Sequence, residues 1–360
     1  MSKFVSALSA VLLLSAAGVA TAQAEPRGLT LAVVMTNDPN ANQIKVYDTK
    51  TGALLQTLST HGKGGAGGNA RGVKQYQGEL FAAVNNGSSS VAVFRRDRDH
   101  LKFEKVVGTT SQPVSVDFGN DHMYVAGATT VDSFVIHDER VDGLDGTTGL
   151  VLAGGGTPPD GSTAQVGVID DRQLLVTLKA DPDPGTVDVV ALKDGSITGA
   201  IPTPVSAPDG TLTPFGFSVY PDGTALITLA HSSQNGLFRD GAFVAVADAG
   251  QVANCWTSRV GKYVFTANTA SRTLSRVIST GSHIFVDSAV AANIPTGNPL
   301  DIDATEGLLA AIDHGAGQSH LTLFTSNAFG ELAAAGSVIN LGVPDANGVA
   351  VMAPPDRDRD

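Results

Sequence analysis

The sequence predicts an all-β chain folded as a seven-bladed β-propeller, and three observations predict it. First, one unit recurs seven times: a short apolar run, a tight turn, an alternating apolar strand, a polar tip and a further strand. Its copies start at residues 73, 116, 168, 218, 256, 301 and 349, so they lie 38 to 52 residues apart. That is the period of blades with four strands each. Second, helical periodicity is nearly absent after residue 24, whereas two-residue alternation bounded by Gly, Asp, Asn and Pro runs throughout. Third, the ends complement each other. The first unit, from Leu29, lacks an inner strand, and Val349–Met352 has the character of the missing one. A ring closed by its C-terminal strand on the first blade leaves no free edge.

Residues 1–24 read as an export address and not as part of the fold. Lys3 supplies the positive start, Phe4–Ala17 is an apolar run too short to span a bilayer, and Ala22-Gln23-Ala24 is a small-residue cleavage site. The mature chain is expected to start at Glu25 and to reach a periplasm or the medium. Residues 25–353 are then one propeller, since a closed ring of this size is a single unit. Second strands are expected at Leu29–Val34, Leu80–Val84, Met123–Ala126, Leu174–Leu178, Ala225–Leu229, Tyr263–Ala267 and Leu308–Ile312. They are apolar on both faces, as strands between neighbouring blades must be. Third strands are expected at Ile44–Tyr47, Val91–Phe94, Val131–Ile136, Val187–Val190, Phe243–Val246, Leu274–Val277 and Leu321–Phe324. Asn86-Gly87 marks the hairpin between a second strand, Leu80–Val84, and the third strand Val91–Phe94. The stretches Gly62–Gly68 and Gly154–Pro159 read as flexible connectors between blades, both leading to a blade start at one mouth of the ring. Pro354-Pro355 and the alternating Asp356–Asp360 read as a solvated tail, making 354–360 a disordered end.

Composition excludes several classes of function. The net charge of −12 comes from scattered Asp and Glu, and loss of Lys3 with the leader takes it to −13. Nucleic acid and anionic membrane surfaces select basic patches, so neither is expected as a partner. No segment after the leader is apolar for long enough to insert in a membrane. The single Cys255 cannot form an internal disulfide and is expected to pack as a small hydrophobe. The Gly62–Gly68 stretch lacks the Gly-Lys-Ser/Thr ending of a phosphate loop. Gly216-Phe217-Ser218 lacks the second Gly of a nucleophile elbow. No His-Glu-x-x-His or paired-Cys motif is present, and Asp181-Pro182-Asp183 matches a calcium loop in charge alone, so no metal or cofactor is expected.

What remains is geometric. In a propeller the residues just before each inner strand, and the tips after each second strand, converge on one mouth. The first set holds Arg71, Gln165, Phe217, Trp256 and Asp301; the second holds Asn85, Lys179, His231, Asn268, Asp313 and His314. Polar groups converging on a concave end either form a ligand pocket or satisfy one another and bound water.

Ala164-Gln165-Val166, Pro214-Phe215-Gly216-Phe217, Cys255-Trp256 followed by Gly261–Asn268, and Ser271-Arg272-Thr273-Leu274-Ser275 carry a family resemblance. They resemble the lactonase-type seven-bladed propellers, relatives of 6-phosphogluconolactonase and of fungal carboxymuconate cyclase. Tyr263–Asn268 and Met123–Ala126 are similar to the short Tyr-Val-Thr-Asn repeats of related propellers. The resemblance spans Leu29–Met352. It implies the fold, and in competent members a basic and imidazole pair at one blade entry with a carboxylate at the following tip. Here that entry reads Phe215-Gly216-Phe217 and the tip Ala230-His231-Ser232, without Glu. The resemblance therefore implies a lactonase-like scaffold with a substituted mouth, acting on a small anionic ligand or a protein partner as a binding module. The rival expectation is a lactone hydrolase or cycloisomerase with His231 as general base and Lys179 or Arg71 holding the anion.

Overall fold

The computed structural model describes residues 28–179 and 185–355. The expected leader, the Asp181-Pro182-Asp183 turn and the tail beyond Pro355 lie outside those residues. The described chain builds seven antiparallel sheets in a ring. Blade 1 pairs Val349–Met352, Leu31–Met35, Gln43–Asp48 and Leu54–Ser59, from the centre outward. Blades 2 to 7 begin at the centre with Val73–Tyr76, Pro113–Gly119, Thr163–Val168, Pro214–Val219, Asn254–Val260 and Asn298–Thr305. Every second strand is apolar because a neighbouring blade covers each face: Leu80–Asn85, His122–Gly127 and Tyr263–Asn268 are buried at all six positions.

The ring closes as the ends of the sequence require. Val349–Met352 lies antiparallel to Leu31–Met35, with Leu31 opposite Met352 and Val34 opposite Val349. Arg96 of blade 2 clips this seam. Its guanidinium donates to Met352 O (3.1 Å), Ala353 O (2.7 Å) and Leu29 O, tying both chain ends to one side chain. Ala353 and Pro355 then pass over Gly78, whose hydrogen leaves room for them.

Each inner strand has one edge with no strand beside it, and side chains of the preceding blade meet its amides. Asp117 accepts from Val168 N (3.0 Å), Ser115 from Val166 N (3.1 Å) and Gln165 from Phe217 N (3.0 Å). Across the closing seam Asp303 accepts from Val351 N (2.9 Å) and Asp301 from Val349 N (3.4 Å). Buried amides need such partners.

One strand expectation is corrected. Phe243–Val246 belongs to the outer strand of blade 5, Ala242–Asp248, and the third strand is Gln234–Arg239. The alternation of that third strand is broken at Gly236, where a Cβ would stand 2.7 Å from the Phe243 ring. The rim strand alternates cleanly because one of its faces is exposed, and this made it read as the inner of the two.

Candidate functional site: the plugged mouth of the ring

The connectors between blades and the tips after the second strands lie at one end of the ring. In blades 3 to 7 the pairing register shifts at the start of the inner strand, at Pro113/Ser115, Thr163/Gln165, Pro214/Phe217, Asn254/Trp256 and Pro299/Asp301. An inserted residue of this kind bends the strand and re-aims the side chain beside it. Four of the entry residues singled out in the sequence, Gln165, Phe217, Trp256 and Asp301, therefore stand at one repeated irregularity.

The segment from Gly62 to Ala70, which joins blade 1 to blade 2, lies across this end. Asn69 decides its place. Its backbone oxygen accepts from Trp256 Nε1 on blade 6 (2.9 Å), and its Oδ1 accepts from Asn347 Nδ2 at the approach to the closing strand (2.8 Å). Its Nδ2 donates to Val114 O on blade 3, while Ala70 N donates to Ala164 O on blade 4 (3.0 Å). Two adjacent residues bonded to blades 1, 3, 4 and 6 of a ring sit near its axis. Both are 1% exposed. The segment plugs the mouth.

The expectation of a flexible connector is corrected here. Asn37 Oδ1 accepts from Gly65 N (2.9 Å) and Ala66 N (3.0 Å), and Asn37 Nδ2 donates to Ala66 O (2.8 Å). Gly64 N donates to Asp38 O (2.8 Å), and Gly87 N reaches Lys63 O and Gly64 O, both at 3.0 Å. Glycine is used for close approach: a Cβ on Gly64 would lie 2.4 Å from the Asn37 carbonyl carbon. Gly154–Gly156, by contrast, is exposed on its own connector.

The expected site residues divide around the plug. Lys179 Nζ donates to Gly68 O and stands 5.6 Å over the Phe215 ring; burial pulls its proton affinity below the usual lysine range. Trp256 packs edge-on against Phe215, with ring centroids 5.4 Å apart. The aromatic partner at the mouth is thus Phe215, while Phe217 is fully buried in the seam between blades 4 and 5. Beneath the plug Arg71 pairs with Asp117 (3.6 Å) and lies 6.0 Å over the Phe217 ring. Asp301 is 2% exposed, and burial with the nearby Asp303 pushes its carboxyl up to about 7. His231 lies exposed on the one-turn helix Ala230–Ser232, whose Ala230 packs with Ala70, Phe215 and Trp256.

The other candidates bind within the scaffold. Gln165 uses both ends of its amide on the Phe217 backbone, the second bond running from Nε2 to Phe217 O (2.9 Å). Asn268 donates to Thr273 Oγ1 (3.0 Å) and Ser275 Oγ (2.8 Å) inside blade 6, and His314 Nδ1 donates to Pro344 O (2.8 Å). Asn85 donates to Thr60 O (3.1 Å), and Asp313 accepts from Thr296 Oγ1 (2.7 Å). The half-buried Cys255 has its thiol pushed up to about 11 by burial, away from thiolate chemistry.

The residues that seat the plug, Asn37, Asn69 and Asn347, carried no motif. The one usable signal was the polar string Thr36-Asn37-Asp38 at a strand tip, where Asn37 takes φ 56°. A serine, a histidine and an aspartate also meet elsewhere, between blades 3 and 4. His122 Nε2 lies 3.0 Å from Asp145 Oδ2 and 3.4 Å from Ser196 Oγ, while its Nδ1 faces Asn120 O at 2.6 Å. A carbonyl and a carboxylate thus occupy both ring nitrogens, leaving none to take a proton from Ser196. The cluster is a joint and not a nucleophilic triad.

No protein-family model matches the chain, and no curated protein matches it by sequence. Solved structures do match. A candidate 6-phosphogluconolactonase of Bacteroides fragilis superposes with a TM-score of 0.65 at 13% identity, covering 91% of this chain and 99% of its own. The periplasmic gluconolactonase of Pseudomonas aeruginosa gives 0.64 at 14% identity, covering 91% and 100%. A Lactobacillus plantarum protein gives 0.62 at 17%, covering 90% and 99%. The fold is that of the 6-phosphogluconolactonase-like propellers. Likeness at this identity carries the lactonase-like scaffold and nothing of its chemistry. No helix among the described residues is long and apolar enough to cross a membrane.

Proposed function

We propose that this chain is an exported lactonase-like propeller that works as a binding or interaction scaffold and does not turn over lactones. One observation carries the reading: Gly62–Ala70 fills the mouth where a lactonase would admit substrate, and its Asn69 and Ala70 are bonded to four blades. The substituted entry Phe215-Gly216-Phe217 and the tip Ala230-His231-Ser232 point the same way. Export is supported by the leader-like residues 1–24, and a structural neighbour bears a periplasmic name.

The test is an assay of purified mature protein against glucono-δ-lactone, 6-phosphogluconolactone and a muconolactone. Rates equal to the uncatalysed background are expected for all three. Turnover that disappears in His231→Ala would overturn the reading and establish the lactone hydrolase or cycloisomerase.

A further inference from the structure

We propose that a cavity between blades 2 and 3 is a receiving site for arginine side chains, and that its occupant is the chain's own segment 356–360. The cavity holds about 280 Å³ and lies beside three strand turns, residues 77–79, 120–121 and 138–139. Those turns join first to second and third to fourth strands, so the cavity opens at the end of the ring opposite the mouth. Tyr76 and Ile136 give it apolar surface, and four carboxylates line it: Glu79, Asp121, Asp138 and Glu139. No lysine or arginine lines it, and His137 is its one imidazole. Glu139 is paired with Arg95, whereas no ion pair holds Glu79, Asp121 or Asp138 among the described residues. The Tyr76 ring is fixed as a wall by stacking on Phe118, with centroids 5.4 Å apart, and its hydroxyl donates to Asp121 Oδ1 (3.4 Å).

The chain arrives at this cavity by itself. A Cβ on Gly78 would stand 3.0 Å from Pro355 N and 3.1 Å from its Cα, and both neighbours of Gly78, Gln77 and Glu79, line the cavity. From Pro355 the sequence continues Asp356-Arg357-Asp358-Arg359-Asp360. Arg357 is two residues on, so its Cα stays within about 7 Å of that of Pro355. The alternation of sign then has a use. In an extended segment successive side chains point to opposite sides, so both arginines face one way and the three aspartates the other. Pro354-Pro355 favours an extended entry, since the residue before a proline avoids the helical region. Turned to the cavity, the guanidinium face meets carboxylates in their preferred fork geometry and the face of Tyr76. Exposed ion pairs alone contribute little. The enclosing wall and the two-residue tether favour docking, because the tether makes it an intramolecular event. The docked segment follows the closing strand directly, so it carries the closure of blade 1 across blade 2 to the next seam. It replaces the solvated tail expected from the sequence, and it stands apart from the proposed function.

The experiment reads both sides of the contact in the full chain. Phenylglyoxal modifies accessible guanidinium groups, and Arg172 is the internal reference, being 79% exposed and beside Asp170 and Asp171. In wild type Arg357 and Arg359 are expected to react roughly tenfold more slowly than Arg172. With Asp121→Asn and Asp138→Asn together, both on exposed turns, they are expected to react at the reference rate. Amide exchange reads the cavity. Arg357→Ser with Arg359→Ser, beyond the closing strand, is expected to speed exchange of residues 76–80 several-fold and to leave Tyr263–Asn268 unchanged. Each variant is checked first for native circular dichroism. Wild-type Arg357 and Arg359 reacting as fast as Arg172 overturns the inference, and so does protection that survives the turn substitutions. Exchange of residues 76–80 that ignores the loss of both arginines overturns it as well. Protection that grows with protein concentration assigns the site to the segment of a second copy and refutes the occupant proposed. None of these measurements reads lactone turnover, so failure here leaves the proposed function standing, and turnover by wild type would refute only the latter.

Discussion

Asp188 is a carboxyl group with half of its hydrogen bonds. Its Oδ2 accepts from Val151 N (2.9 Å), its Oδ1 has no partner among the described residues, and the side chain is 0% exposed. Burial pushes it up to about 7 from 3.8, and Asp301 likewise up to about 7. The folded protein then keeps a proton that the unfolded chain releases near 3.8. Stability from these two groups is greatest at low pH, declines as pH rises toward about 7, and is lowest above it. Asp188→Asn should raise the urea midpoint at about pH 8 and change little at about pH 4. The wild-type difference between the two should narrow by about 1–3 kcal/mol. A variant no more stable at the higher pH would contradict this account. At this scale strand period alone located Arg71, Lys179 and Trp256 at strand entries and tips. The sequence offered only a polar string at Asn37 and nothing at Asn69, whose roles lie in what faces them.

The Gly62–Ala70 element shows how composition misleads. Glycine in a connector reads as freedom, yet Gly64 is buried against the Asn37 backbone while Gly67 has nothing within 4 Å of a built Cβ. Gly64→Ala should therefore cost roughly 1–3 kcal/mol, as overpacking does, with Gly67→Ala close to neutral in the same denaturation series. Equal effects at the two positions would return the segment to the status of a loose linker. The third strand of blade 5 carries a similar lesson. Its alternation is interrupted at Gly236 by an aromatic ring from the next strand, and no period along the chain can register a neighbour that folds back onto it.

For the whole molecule, stability depends on a ring joining its own ends. Leu31–Met35 and Val349–Met352 supply the strands, and Arg96 holds Leu29, Met352 and Ala353 through its guanidinium, on a side chain that is 1% exposed. Arg96→Met should lower global stability by roughly 2–3 kcal/mol, the range for hydrogen bonds to a charged group. It should also speed amide exchange in Leu31–Met35 more than in Tyr263–Asn268 across the ring. Uniform exchange across both strands would show that the seam is not the weak point. The seam between blades 3 and 4 uses two side chains on the next edge amides, Ser115 for Val166 and Asp117 for Val168. The closing seam uses Asp301, Asp303 and Arg96 together.

The sequence by itself determined the blade count and the closing strand. Each of these follows from a repeat and from a two-residue period, which are properties of the chain read along its length. Only the tertiary structure decided that the mouth is filled, that Asn69 and Ala70 are bonded to four blades, and that Gln165 and Asp301 fasten seams. Those outcomes depend on hydrogen bonds between residues as far apart as Asn69 and Trp256 or Asn69 and Asn347. Such pairs are brought together by closing the ring, and no local pattern encodes them.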